Sequence, residues 1–157
     1  MIILGIDPGT ARTGYALIRV SSKPKLLETS TIITPPDIEM HKRLKILYRE
    51  LNSIVKKHSP DIMVVERLFF NTNVKTAIAV GQSRGITLLV AANKNLKVVE
   101  YTALEAKVVL TGYGRSKKKE MQEAVKDMLK LDGVVKSDDA NDAVAMALCY
   151  LKKEKLC

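Results

Sequence analysis

Apolar residues run unbroken through Ile2-Ile3-Leu4-Gly5-Ile6 and again through Ile62-Met63-Val64-Val65, and each run closes on an acid, Asp7 and Glu66. Short continuous apolar runs mark strands buried on both faces. After the turn Pro8-Gly9-Thr10-Ala11-Arg12, strand-like patterning resumes over 13–20 and 26–33, with Ser21-Ser22-Lys23-Pro24 between, so the first third reads as a three-stranded antiparallel meander. Leu44, Leu47, Leu51, Ile54 and Val55 then recur at helical spacing and predict a helix over 39–57 with a Lys- and Arg-rich outer face. Pro60 resets the chain before the strand that ends at Glu66. A long helix follows over 73–93, in which Gly81 and Gly85 share a face and permit close approach of another element. A strand over 96–101, a short helix over 103–110 and a loop over 111–115 come next. Met121, Val125, Met128 and Leu129 mark a further helix, and Ala140, Ala143, Val144, Ala147, Leu148 and Leu151 mark a last, amphipathic one. The order β-β-β-α-β-α-β-α-α-α predicts an α/β fold: a five-stranded mixed sheet, its first three strands antiparallel, flanked by helices. No repeat, low-complexity tract or linker interrupts 1–157, which reads as a single domain.

The acids at the strand ends change the picture from packing to chemistry. A carboxylate there is costly to desolvate unless a cation or strong donors compensate it. A third acidic group, Asp138-Asp139-Ala140-Asn141-Asp142, opens the last helix. Asp139 and Asp142 share a face at a spacing of three, and Asp138 and Asp142 do so at a spacing of four, so spacing does not choose between them. Any one of these helix-start acids reads equally well as a cap or a partner of the helix dipole. Asp7 and Glu66 have no cap to make. If all converge, divalent cations must sit among them, and oxygen ligands of this kind suit Mg²⁺ or Mn²⁺. Two such ions about 4 Å apart would serve in-line phosphodiester displacement, so the inferred reaction is hydrolysis of a nucleic-acid backbone. The competing reading, a phosphate-cradling Asp-x-Gly turn as in actin-like ATPases and sugar kinases, needs a second large domain for which 157 residues leave no room. On this reading Gly9 and Gly14 only permit a tight turn.

Charge agrees with a polyanionic partner: 26 Lys and Arg stand against 17 Asp and Glu, a formal net charge of +9 with a pI near 9.6. Lys107, Arg115, Lys117, Lys118 and Lys119 fall in a stretch over 107–119 without an acid, which suits phosphate contact. The alternative is a solvated run opening a helix with Ser116 as its N-cap. Phe69 and Phe70, just beyond Glu66, are the only phenylalanines; one suits stacking on an unpaired base, and Phe70 reads better as a staple to the core. His41 and His58 read as surface residues. Cys149 and Cys157 form no metal or disulfide framework, which points to a reducing compartment. With no leader and no apolar run near the roughly 20 residues that span a bilayer, the expectation is cytoplasmic.

In these features the chain resembles the RuvC family of Holliday junction resolvases, within the RNase H-like nuclease superfamily. The resemblance runs almost the full length. It is carried by Gly5-Ile6-Asp7-Pro8-Gly9 with Thr13-Gly14, by Glu66-Arg67-Leu68-Phe69, by Gly81-Gln82-Ser83-Arg84-Gly85, by Lys107 followed by Gly112-Tyr113-Gly114, and by Asp139-Ala140-Asn141-Asp142-Ala143. It implies an RNase H-like sheet and assigns Asp7, Glu66, Asp139 and Asp142 as metal-binding catalytic acids, because only Asp139 and Asp142 fit the family's Asp-Ala-x-Asp-Ala pattern. Lys107 and Lys118, the latter within a run of three lysines, match basic positions used in cleavage, and Phe69 matches an aromatic near the junction centre. Arg115, Lys117 and Lys119 are read as further DNA contacts from the charge of the 107–119 stretch alone. The resemblance also implies Mg²⁺, two ions per site with Mn²⁺ able to substitute, a homodimer matching the two-fold symmetry of a four-way junction, and work alongside the RuvA and RuvB branch-migration proteins.

The expected activity is therefore a magnesium-dependent endonuclease that nicks paired strands of a DNA four-way junction and leaves 5′-phosphate and 3′-hydroxyl ends. Two alternatives stand beside it: an RNase H-like nuclease acting on RNA or RNA–DNA hybrid, and a noncatalytic basic module that binds branched DNA.

Overall fold

A computed structural model describes residues 1–68 and 74–156. Five strands, β1 (Ile2–Asp7), β2 (Arg12–Arg19), β3 (Lys25–Ile33), β4 (Ile62–Glu66) and β5 (Lys97–Tyr101), form one sheet in the order β3-β2-β1-β4-β5. The β1–β2 and β2–β3 pairs are antiparallel; β1–β4 and β4–β5 are parallel. The helices are α1 (Met40–His58), α2 (Val74–Asn93), α3 (Ala103–Thr111), α4 (Lys118–Leu129) and α5 (Asp138–Lys153). Element order and sheet type follow the hydrophobic pattern.

The central strands are apolar throughout because both faces are covered. Ile3, Ala16, Ile18 and Val64 point into a core built with α3, α4 and α5; Leu4, Ile6, Leu17, Met63 and Val65 point into a second core with α1 and α2. Alternation along each strand therefore sorts residues between two cores rather than between core and water.

The last helix departs from the amphipathic expectation. Every residue of α5 from Ala143 to Leu151 is buried, since the helix lies against the sheet while α3 and α4 cover its outer side. Two glycines make this approach possible. A Cβ on Gly5 would stand 2.1 Å from the Ala143 carbonyl oxygen, and one on Gly14 would stand 1.8 Å from that of Asp139. Gly14 lies within β2, opposite Asp7, so its work is to admit a helix backbone, not to make a turn. Gly9 does serve the turn, as a Cβ there would meet the Arg12 carbonyl oxygen at 2.2 Å.

Two smaller expectations are also corrected. Ser116 does not cap α4: its hydroxyl pairs with Thr111 Oγ1 at 2.5 Å and donates to the Tyr113 carbonyl at 2.7 Å, while Lys117 takes the N-cap position and donates its backbone N–H to Glu120. His58 is half-buried, its ring 3.0 Å from Glu28, a carboxylate that also holds Lys57 and Tyr15. Those hydrogen bonds, from Lys57 first and then Tyr15, pull Glu28 down to about 2.

Candidate active site

The register of the sheet builds the site. Ile6 pairs with Val65 across the parallel β1–β4 ladder, so the next residues, Asp7 and Glu66, end adjacent strands side by side. Side chains alternate along a strand. Asp7 therefore shares the face of Ile3, and Glu66 that of Val64, which is the face covered by α5. Both acids sit at the carboxyl ends of parallel strands, where open α/β sheets leave a crevice.

The start of α5 delivers the remaining acids. Ser137 caps it, accepting from Ala140 N at 3.4 Å, and its hydroxyl is tied to Thr31 Oγ1 on β3 at 2.8 Å. Asp138 and Asp139 occupy the first turn, where the dipole favours negative charge. With Gly14 admitting the helix backbone, Asp139 and Asp142 come within electrostatic reach of Asp7.

Convergence leaves a clear electrostatic mark. The Asp7 carboxyl is raised far above the ordinary carboxylate range, first by burial, then by the charges of Glu66 and Asp142, by a hydrogen bond shared with Glu66, and by Asp139. Glu66 is raised too, mainly by burial and Asp142, with the Asp7 hydrogen bond and Lys107 working against the shift. Asp142 is raised, first by desolvation of its carboxyl and then by Asp138 and Asp139, although the residue as a whole is exposed, and Lys118 and Lys107 oppose the rise. Acids far apart in the chain thus press on one another, which is costly unless something cationic compensates them.

Two cations come from neighbouring helices. A cleft of about 300 Å³ is lined by Glu66, Asp142, Lys107, Lys118 and the apolar Ala106, Met121 and Met146. Lys107 is placed by a capping box at the start of α3, in which Thr102 Oγ1 accepts from Glu105 N at 3.1 Å and Glu105 accepts from Thr102 N at 2.8 Å. Lys118 opens α4 and pairs with Asp138. Of the three consecutive lysines, Lys118 lines the cleft; Lys117, Lys119 and Arg115 are exposed outside it. Phe69 lies outside the described residues.

Asp139 is engaged differently: Arg12 Nε donates to its Oδ2 at 2.8 Å. Nothing in the sequence paired residues 127 apart, and Arg12 was missed because it reads as part of a turn. Among the described residues no three His, Cys, Asp or Glu side chains stand in ligand geometry; Asp138 and Asp139 are paired with Lys118 and Arg12. The donor set itself, four carboxylates gathered on one side of the sheet, fits hard divalent cations. Among the described residues no helix is long and apolar enough to cross a membrane.

Comparison with known proteins agrees with this architecture. Residues 3–150 match the family model described as crossover junction endodeoxyribonuclease RuvC. Relatives of that name from Desulforamulus reducens and Alkaliphilus oremlandii are 49% and 48% identical over 151 residues, covering 96% of this chain and 93% and 92% of theirs. The solved structure of Thermus thermophilus RuvC superposes with a TM-score of 0.91 at 26% identity, over 99% of this chain and 96% of that one. The fold is the RNase H-like one. The chain belongs to the RuvC family.

Proposed function

We propose that the chain is a structure-specific DNA endonuclease that resolves four-way junctions by metal-dependent phosphodiester hydrolysis, with paired nicks that leave 5′-phosphate and 3′-hydroxyl ends. Family membership supports the reaction, and the observation that carries the site assignment is that the sheet register sets Asp7 beside Glu66, which lines one cleft with Asp142, Lys107 and Lys118.

Asp7, Glu66, Asp139 and Asp142 would hold Mg²⁺, two ions per site, with Mn²⁺ able to substitute. When bound, the ions would supply a polarised water and neutralise charge at the scissile phosphate. The protein's own contribution is positional. Burial and mutual repulsion raise both Asp7 and Glu66 above the ordinary carboxylate range, so metal binding by this pair would be accompanied by proton release. Lys107 on α3 and Lys118 on α4, which both line the cleft, counter phosphate charge beside the acids. Arg115, Lys117 and Lys119 extend the cationic surface from that cleft and suit backbone contacts that carry no sequence information. Phe69, between Glu66 and α2, is assigned to the unpaired bases near the junction centre.

A junction has two-fold symmetry, so two sites must act on opposed strands, and a homodimer supplies them. One surface supports that reading. On α2, Val74, Ile78 and Leu89 are 73%, 58% and 48% exposed, and a Cβ on Gly81 or Gly85 would meet nothing within 4 Å. An apolar face with room for close backbone approach suits a second copy.

Incubation of labelled four-way junction, linear duplex and RNA–DNA hybrid with Mg²⁺, then with chelator, tests the function. Symmetric cutting of the junction alone, abolished by chelation, is expected. Preferential cutting of the hybrid, or cutting that survives chelation, would overturn the assignment.

A further inference from the structure

Arg12 opens β2 at the end of the turn that follows Asp7, and its partner Asp139 stands at the start of α5. The two side chains are 51% and 30% exposed, so the pair gains little stability and exchanges readily. What it does is occupy a carboxylate that the proposed mechanism needs elsewhere. A guanidinium does not lose its proton in proteins, so Arg12 can release Asp139 only by moving. Its planar fork matches a phosphate as well as a carboxylate, and its partner Asp139 packs its backbone on Gly14, opposite Asp7, beside the acids that a DNA backbone must approach in the proposed reaction. The neighbouring acid is served separately, since Asp138 takes Lys118.

We propose that Arg12 is a positioning residue that holds Asp139 until a DNA phosphate draws it away, so that Asp139 becomes available to a divalent ion chiefly when DNA is bound. This rests on the reading of Asp139 as a metal ligand. Metal binding and junction binding are then linked through one side chain, and the linkage is reciprocal. The chain would avoid loading a full complement of hydrolytic metal away from its substrate.

Two measurements on the intact chain test this. The first is Mn²⁺ binding without DNA, read from the electron paramagnetic resonance of free Mn²⁺, for the wild type, Arg12→Ala, Arg12→Lys, Lys118→Ala and Asp139→Asn. Arg12→Ala should bind Mn²⁺ about 3- to 10-fold more tightly than the wild type, with Arg12→Lys close to wild type and Lys118→Ala gaining much less than Arg12→Ala. The second is junction affinity by fluorescence anisotropy in Ca²⁺ and in chelator, Ca²⁺ replacing Mg²⁺ to hold back cutting. The strengthening by Ca²⁺ should be smaller in Arg12→Ala than in the wild type. Unchanged or weaker Mn²⁺ binding by Arg12→Ala overturns the proposal, as does an equal gain in Lys118→Ala, which would make the effect a general one of local charge. The double variant Arg12→Ala/Asp139→Asn separates the two levels. If it keeps the Mn²⁺ gain of Arg12→Ala, the ligand assignment itself fails; if Asp139→Asn alone loses Mn²⁺ while Arg12→Ala changes nothing, Asp139 is a ligand without DNA and only the role of Arg12 falls.

Discussion

Asp7 is the residue on which the site turns, and its ionisation has a measurable cost. Its carboxyl is pushed up to about 8 from an ordinary 3.8. A raised value means that the folded chain binds the proton more tightly than the unfolded chain. The associated stability is full below about pH 4 and is lost as pH rises through about 8. Asp7→Asn removes that loss. Because Glu66 shares the strain, the gain at pH 8 in chelator should be about 1–3 kcal/mol, or roughly 3–10 °C in melting temperature, shrinking toward pH 5. Thermal melts at the two pH values check this, and a variant that melts lower at pH 8 would contradict it. At this scale the acids were legible, because a carboxylate closing an apolar run is conspicuous. Arg12 was not, since its partner is remote in sequence and a cation in a turn looks solvated. His58 escaped for the same reason, its carboxylate partner lying 30 residues away on another element.

At the level of elements, the strands and helices were readable from periodicity, and what was hidden is how closely two of them approach. A glycine inside a strand leaves no periodic signal, so Gly14 looked like part of a turn when it is the port through which α5 reaches the sheet. The near-total burial of α5 was hidden similarly: alanines on the outer side of a helix read as neutral until α3 and α4 are seen covering them. Gly14→Ala should therefore push the first turn of α5 away from Asp7. We expect a loss of about 1–3 kcal/mol from overpacking, with a disproportionate fall in cutting because Asp139 moves with its backbone. Gly133→Ala is the control, since its Cβ would meet nothing within 4 Å and the residue lies outside both α2 and the cleft lining. Chemical denaturation of both variants, with junction cleavage measured alongside, separates the two. Equal tolerance of the substitutions would contradict this account of the helix–sheet contact.

For the whole molecule, one sheet separates two cores, and the acidic crevice lies on the α5 side while the open apolar face belongs to α2 on the other. Thr10 joins the two sides: its hydroxyl donates to the Ala79 carbonyl at 2.6 Å and pairs with Ser83 Oγ at 2.9 Å, fastening the turn after Asp7 to α2. A partner copy on α2 would thus lie one hydrogen-bonded step from the crevice. Ile78→Asp should shift the assembly to monomer without unfolding it, because Ile78 is already exposed. Light scattering would show the change in mass, and cleavage should turn from paired to single nicks. An unchanged mass would contradict the α2 interface while leaving the crevice untouched.

The central claim is that the acid cluster cuts while the cationic surface binds. Asp7→Asn tests it most directly, with junction affinity and Mg²⁺-dependent cleavage measured on one preparation. The account predicts cutting lowered by at least about 10³-fold with affinity held within about threefold. Wild-type cutting by this variant, or binding lost in step with cutting, would contradict it.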